Sequence, residues 1–314
     1  MEFLTNEFTF KSASGLCDIF AQSAAPADFG AVRGIVQIAH GMAEYSNRYA
    51  RFAMELCKKG FAVYINDHLG HGSSVANENE LGFFGDDGAN SLVEDMKQLT
   101  DIARQEYPNV PVFLFGHSMG SLCARVYTAH FGEELNGVIF CGTVELPAAA
   151  EVLQPAINAA CERFGPRADV DKLGTLFNAA CNLMAREKGA SPVAWLSCNV
   201  ENQTAYLEDP LCGFPFKLGG YRDLFALAVE CSSREWASLV PQSLPIMVIS
   251  GAKDPVGFNG KGALSVADNL VLAGHDPTVI LYPGDRHEIL FEADHELVFR
   301  DVLAWLHSIY LKNT

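Results

Sequence analysis

The sequence predicts a mostly parallel, doubly wound α/β sheet with an inserted helical cap, and three observations carry that reading. Short apolar runs alternate with helical stretches from about residue 34 to residue 143. The same alternation resumes near residue 241 and continues to residue 314. Between the two, residues 144–240 lose it and read as helices separated by Gly and Pro turns. Strand alternating with helix packs as a parallel sheet covered on both faces, because each crossover helix must bury its apolar stripe against the strands. The expected units are therefore a core of residues 1–143 and 241–314 and a cap of residues 144–240.

Taken in order, Glu7-Phe8-Thr9-Phe10 and Asp18-Ile19-Phe20-Ala21 read as an antiparallel hairpin at a sheet edge. Gly34-Ile35-Val36-Gln37-Ile38-Ala39 is a buried strand, and residues 48–59 follow as a helix with an apolar stripe. Residues 91–107 form a helix opened by a capping-box spacing at Ser91 and Glu94. Val112-Phe113-Leu114-Phe115 is a strand leading through Gly116-His117-Ser118-Met119-Gly120 into a helix free of Pro and Gly. Gly137-Val138-Ile139-Phe140-Cys141 is the next strand. Within the cap, residues 151–164 and 173–188 are helical, and their neighbourhood is rich in apolar residues: Leu153, Ile157, Leu176, Phe177, Met184, Trp195 and Leu196. Pro245-Ile246-Met247-Val248-Ile249-Ser250 and Thr278-Val279-Ile280-Leu281-Tyr282 are further strands, and residues 294–310 close the chain as a helix.

The G-x-S-x-G run at residues 116–120 has the context of a nucleophile elbow, a tight strand-to-helix turn that lifts a serine hydroxyl above the sheet edge. A serine hydroxyl is a poor nucleophile near neutral pH, so the elbow requires a histidine base and a carboxylate to orient it, in the order Ser, acid, His. Asp254 lies on the loop after one strand and His287 on the loop after the next. In open α/β sheets such loops meet in one crevice at the carboxyl ends of the strands. Asp285, two residues from His287, and Glu145, just past the strand ending at Cys141, compete for the acid role. Backbone N–H groups should receive the developing oxyanion, and those of Met119 and Met42 are the candidates. The other histidines read as structural. His130, His295 and His307 fall on helices as half-exposed residues, His275 sits in a turn, and His117 points into the elbow backbone. His68 and His71 hold the Gly-rich loop Asp67-His68-Leu69-Gly70-His71-Gly72 rather than a metal.

These segments resemble the monoglyceride lipase and lysophospholipase branch of the α/β-hydrolases, a group related to serine aminopeptidases. The resemblance rests on His40-Gly41-Met42-Ala43-Glu44-Tyr45-Ser46-Asn47-Arg48-Tyr49, Asp67-His68-Leu69-Gly70-His71-Gly72-Ser73, the Gly116–Gly120 elbow, Lys253-Asp254-Pro255, and Tyr282-Pro283-Gly284 with Arg286-His287-Glu288. It implies the α/β-hydrolase fold, a triad of Ser118, Asp254 and His287, oxyanion donors at Met42 and Met119, no cofactor, and small lipidic esters as substrates. The apolar cap residues would then either pack a small core of their own or touch an acyl chain. An aminopeptidase of the same fold would need cap carboxylates for a substrate ammonium, and Glu145, Glu151, Glu208 or Asp209 could serve. A catalytically silent fold used for binding is the alternative from another class. Asp285 departs from the expected pattern beside the histidine.

A formal net charge of −16 and a pI near 4.9 offer no basic stripe for nucleic acid or an anionic membrane. No apolar run approaches the roughly 20 residues of a membrane-spanning helix, and the first residues lack a signal-peptide pattern. Nine cysteines without a C-x-x-C spacing read as reduced, buried thiols. A cytoplasmic enzyme acting on a small ester, with neither cofactor nor metal, is the expectation.

Overall fold

A computed structural model describes residues 3–145, 149–185, 191–232 and 234–313. They form an eight-stranded sheet: β1 (Phe3–Lys11), β2 (Asp18–Pro26), β3 (Gly34–Ala39), β4 (Phe61–Asn66), β5 (Val112–His117), β6 (Gly137–Cys141), β7 (Ile246–Gly251) and β8 (Thr278–Tyr282), in the order β1-β2-β4-β3-β5-β6-β7-β8. β1 and β2 form the expected antiparallel hairpin, and β2 joins β4 antiparallel. Every pairing from β4 to β8 is parallel.

Strand β4 is absent from the sequence expectation. Phe61-Ala62-Val63-Tyr64-Ile65-Asn66 is buried throughout, and Gly60, at φ +90°, turns the chain from the preceding helix into it. The run is as apolar as β3 and rich in aromatic and β-branched residues, which is the signal that identifies it.

Alternate residues of the parallel strands feed two cores, as a doubly wound sheet requires. Val36, Ile38, Phe113, Phe115, Ile139, Met247 and Ile249 pack with Phe52 and Leu56 of α1 (Ala50–Lys58) and with Val298, Val302 and Leu306 of α10 (His295–Asn313). Ile35, Ala39, Leu114, Val138, Phe140 and Val248 pack on the opposite face. Their partners are Leu92, Met96 and Leu99 of α2 (Gly88–Glu106), Leu122 and Val126 of α3 (Met119–Phe131), and Val266 and Leu270 of α9 (Lys261–Leu272). Helix α2 begins three residues before the expected start. Asp87 stands at its N-cap, and Ser91 donates its hydroxyl to the Asp87 carbonyl instead of opening a capping box.

Helices α4 (Ala149–Phe164), α5 (Asp171–Ala185), α6 (Val200–Glu208), α7 (Leu218–Cys231) and α8 (Arg234–Leu239) are inserted between β6 and β7. The helix expected over residues 173–188 thus runs two residues earlier and is followed only to Ala185, its remainder lying outside the described residues. Leu227, Cys231 and Trp236 of α7 and α8 join the core that holds α3. The apolar residues singled out on α4 and α5 behave differently. Leu153, Leu176, Phe177 and Met184 are exposed, and only Trp195 and Leu196 join a small cluster with Cys181, Val193 and Tyr206. No described helix is long and apolar enough to cross a membrane.

Candidate active site

The elbow follows from two glycines. A Cβ on Gly116 would collide with the Gly120 carbonyl oxygen, and one on Gly120 would collide with the carbonyl of Ala39, so α3 can start tight against the end of β3 only because both lack side chains. Between them Ser118 is held at φ 52°, ψ −119°, a conformation strained for any residue with a Cβ. Its backbone N–H is fixed on the Cys141 carbonyl at 2.9 Å.

His287 comes to this serine by another close approach. Gly251, at the end of β7, lies where a Cβ would strike the carbonyls of Asp285 and Arg286, and Lys253 N–H bonds the Asp285 carbonyl at 2.9 Å. The loops after β7 and β8 are thereby locked together. His287 Nε2 lies 2.8 Å from Ser118 Oγ, and Nδ1 lies 2.8 Å from Asp254 Oδ2. An ionised Asp254 requires the Nδ1 proton, which leaves the Nε2 lone pair facing the serine hydroxyl. The other carboxylate oxygen accepts the Val256 N–H at 2.9 Å. Burial pushes the His287 imidazole toward neutrality. The charge and hydrogen bond of Asp254, helped by Glu288 and Glu44, outweigh that and leave its pKa above 6.5.

Neither rival acid reaches the imidazole. Glu145 pairs with Arg125 and accepts from Asn269. Asp285 is buried with Oδ2 unpartnered, and burial, with Asp294 and Glu292 nearby, raises its pKa to about 7. Neither makes a hydrogen bond to His287.

Met119 N–H opens α3, and Met42 N–H lies in the loop after β3 beside Gly41, where an added Cβ would come within 3.2 Å of the Ser118 Cβ. The N–H groups flanking Met42 are taken: Gly41 donates to Glu44 Oε1 at 2.6 Å, and Ala43 to His71 Nε2 at 3.2 Å. Among the described residues no acceptor bonds the N–H of Met42 or Met119. The His40, His68 and His71 cluster explains how this loop is held. His40 Nδ1 donates to the Gly41 carbonyl, while its Nε2 accepts the His68 N–H at 2.9 Å. All three rings are buried and driven neutral, chiefly by burial, His71 to about 3. The rings of His40 and His71 and the backbone of His68 form a hydrogen-bonding frame, the His68 ring packs against them, and no group of metal ligands forms among the described residues.

One histidine differs from expectation: His295 is buried, donating Nδ1 to the Glu292 carbonyl. His275 is buried within its expected turn, and the His117 ring lies tilted, 5.0 Å from that of His287. Cys198 also departs, being exposed, although none of the nine cysteines forms a disulfide.

A cavity of about 290 Å³ opens on Ser118 and His287, walled by Phe177, Trp195, Leu196, Phe214, Tyr206 and Val256. Trp195, from the inserted segment, lies 5.5 Å from the His287 ring. The sequence did not single out a buried ionic cluster on the same side: Glu44 and Glu288, which line the cavity, and Arg48 between them. Arg48 and Glu288 lie in the segments that carried the family resemblance, but an isolated Glu or Arg carries no signal of burial.

Residues 30–294 match the family model described as serine aminopeptidase, S33. The chain is 28% identical over 285 residues to the monoacylglycerol lipase of Mycolicibacterium smegmatis, covering 88% of this chain and 89% of that one. It is 24% identical over 282 residues to the human monoglyceride lipase, covering 88% and 83%. Among solved structures, a thermostable carboxyl esterase from Bacillus coagulans in complex with glycerol superposes with a TM-score of 0.91 at 33% identity over 99% of both chains. A soluble variant of the Saccharomyces cerevisiae monoglyceride lipase, at 19% identity and a TM-score of 0.74, shares the fold over 97% of this chain and 94% of its own.

Proposed function

This chain belongs to the serine aminopeptidase, S33, family of α/β-hydrolases and is a serine ester hydrolase, and from that premise we propose that it cleaves small lipidic esters such as monoacylglycerols or lysophospholipids through a Ser118, His287, Asp254 triad. The observation that carries the reading is the unbroken chain of two 2.8 Å contacts from Ser118 Oγ through the imidazole to Asp254, beneath a strained serine. His287 takes the Ser118 proton as the hydroxyl attacks the ester carbonyl. The tetrahedral oxyanion rests on the N–H groups of Met42 and Met119. The proton passes to the leaving alcohol, and water then hydrolyses the acyl-enzyme with His287 again as base. No cofactor takes part. Residues 144–240 act as the cap that shapes the acyl site, as the position of Trp195 and Phe177 on the cavity wall supports. The absence of disulfides supports a reducing, cytoplasmic location.

The aminopeptidase alternative draws little support from the nominated carboxylates. Glu145 pairs with Arg125, Asp209 accepts from Tyr45, and Glu208 is exposed; none lines the cavity, and the side chain of Glu151 lies outside the described residues. Ester hydrolysis against aminoacyl anilides decides between the two, and covalent labelling of Ser118 by a fluorophosphonate excludes the silent-fold alternative.

Acyl length follows from the cavity. A cavity of about 290 Å³ beside the nucleophile suits a short or medium acyl chain better than a long one. Across 4-nitrophenyl esters, hexanoate and octanoate should exceed palmitate in kcat/KM by at least about tenfold; a profile that climbs steadily to palmitate would show that the acyl chain lies elsewhere.

Activity should also rise with pH. Only neutral imidazole accepts the serine proton, and the His287 pKa lies above the usual 6.5, so kcat/KM is low in acid and reaches its half-maximum above pH 6.5. A profile already at its plateau at pH 6 would contradict the environment described for His287.

A further inference from the structure

The acyl-transfer steps above do not use the charges beside His287. The Arg48 guanidinium is buried and forked. Nη1 donates to Glu44 Oε2 and, at 2.7 Å, to Glu288 Oε1, while Nη2 donates to Glu288 Oε2 at 2.9 Å and to Asn202 Oδ1 at 3.1 Å. Its faces are covered by Phe291 at 4.3 Å and Tyr206 at 5.0 Å. Each acid leads to a different part of the site. Glu44 Oε1 accepts the N–H of Gly41, next to Met42, and the hydroxyl of Tyr49. Glu288 directly follows His287, and its own N–H is fixed on the Leu196 carbonyl at 2.7 Å. Asn202, on α6, donates to Glu288 Oε2 at 2.7 Å. One cation thus joins the loop after β3, the loop after β8 and an inserted helix. Arg48 itself does not line the cavity that its two carboxylates line.

We propose that Arg48 is a positioning residue: bridging Glu44 and Glu288, it holds the Met42 loop in register with His287 and offsets one of the carboxylate charges beside the imidazole. The proposal rests on His287 being the base. A planar, bidentate guanidinium suits the role because two buried carboxylates facing one another repel, and a point charge cannot satisfy both forks. The pKa directions agree. Burial raises Glu288, but the charge and hydrogen bonds of Arg48 overcome it and bring its pKa below the usual value; for Glu44, burial wins. The charged groups acting on His287 are Asp254 from the β7 loop, Glu44 from the segment after β3 and Glu288 from its own loop; Arg48 lies between the two glutamates, and His117 at the end of β5, its ring 5.0 Å from that of His287, is held neutral by burial. Removing Arg48 leaves two uncompensated acids and must favour imidazolium. Removing the Glu44 charge must do the reverse.

The test compares wild type with Arg48→Met, Arg48→Lys and Glu44→Gln. The pH profile of kcat/KM is measured on 4-nitrophenyl butyrate, and the His287 imidazole is titrated by NMR. Arg48→Met should lower kcat about 100-fold at pH 7 with KM changed less than about threefold, and should move the imidazole pKa up by about one unit. Arg48→Lys should restore the pKa but only part of kcat, and Glu44→Gln should move the pKa down. If Arg48→Met does not fold, an imidazole pKa that keeps its wild-type value in Arg48→Lys and falls in Glu44→Gln supports the proposal, and one unmoved in Glu44→Gln overturns it. An imidazole pKa unmoved in folded Arg48→Met, or moved in the same direction in Arg48→Met and Glu44→Gln, overturns the proposal. The NMR titration stands apart from the assigned function: shifts as expected in a protein without esterase activity would refute the reaction and leave the coupling in place.

Discussion

Ser118→Ala and His287→Ala are each expected to lower turnover about 10⁶-fold, with the double variant little worse than either single one. The reason is geometric. The serine is nucleophilic only through the imidazole 2.8 Å from its oxygen, and the imidazole has no other proton to take in the attack, so losing one partner idles the other. The fold should survive the serine change, because alanine also carries a Cβ and inherits the same φ of 52° without new strain. Kinetics on 4-nitrophenyl butyrate, with thermal unfolding of each variant as the control, check this. If the losses multiply in the double variant, the two residues act independently and the shared role fails. If Ser118→Ala retains activity and the wild type resists a fluorophosphonate, the nucleophile lies elsewhere.

The legible part of this protein is the part whose residues face one constraint. β3 and β6 fall on the expected residues because strands buried on both faces must be apolar throughout, the half-exposed edge strand β8 is legible from its β-branched run, and the elbow is legible because only glycine fits at positions 116 and 120. Asp254 and His287 were found from chain order and loop position, which the parallel topology converts into proximity. Where two constraints compete, the pattern misleads. Ser91 and Glu94 have the spacing of a capping box, but Asp87 already starts the helix a turn earlier, and the Ser91 hydroxyl answers its carbonyl. Leu153, Leu176 and Met184 look like core residues by type, yet α4 and α5 leave them exposed, because apolar type alone does not say which face a neighbour covers. The Arg48 network is illegible for the opposite reason. A buried ion pair is created by tertiary contact between segments 240 residues apart, and charged residues in a sequence read as surface until that contact is seen.

Asp254→Asn is expected to lower turnover about 10⁴-fold, whereas Asp285→Asn and Glu145→Gln should each cost less than about tenfold. Asp254 is fully buried and spends one oxygen on the Val256 N–H and the other on His287 Nδ1, so it fixes both the orientation and the tautomer of the ring. An asparagine there can turn its amide N–H₂ toward Nδ1. The imidazole proton is then driven to Nε2, where it faces the serine and cannot accept its proton. Asp285 lies two residues from His287 but bonds neither ring nitrogen, and its pKa, raised to about 7 by burial and by Asp294 and Glu292, marks a carboxyl that is largely protonated below neutrality. Its removal should leave the turnover and the tautomer intact. Glu145 answers Arg125 and Asn269, away from the imidazole. The measurement is kcat for the three variants on the alkaline plateau of the wild-type pH profile, together with the NMR signature of the His287 tautomer in Asp254→Asn. Should Asp285→Asn or Glu145→Gln prove the crippling change while Asp254→Asn stays active, the acid would be reassigned, and Ser118 and His287 would keep their roles.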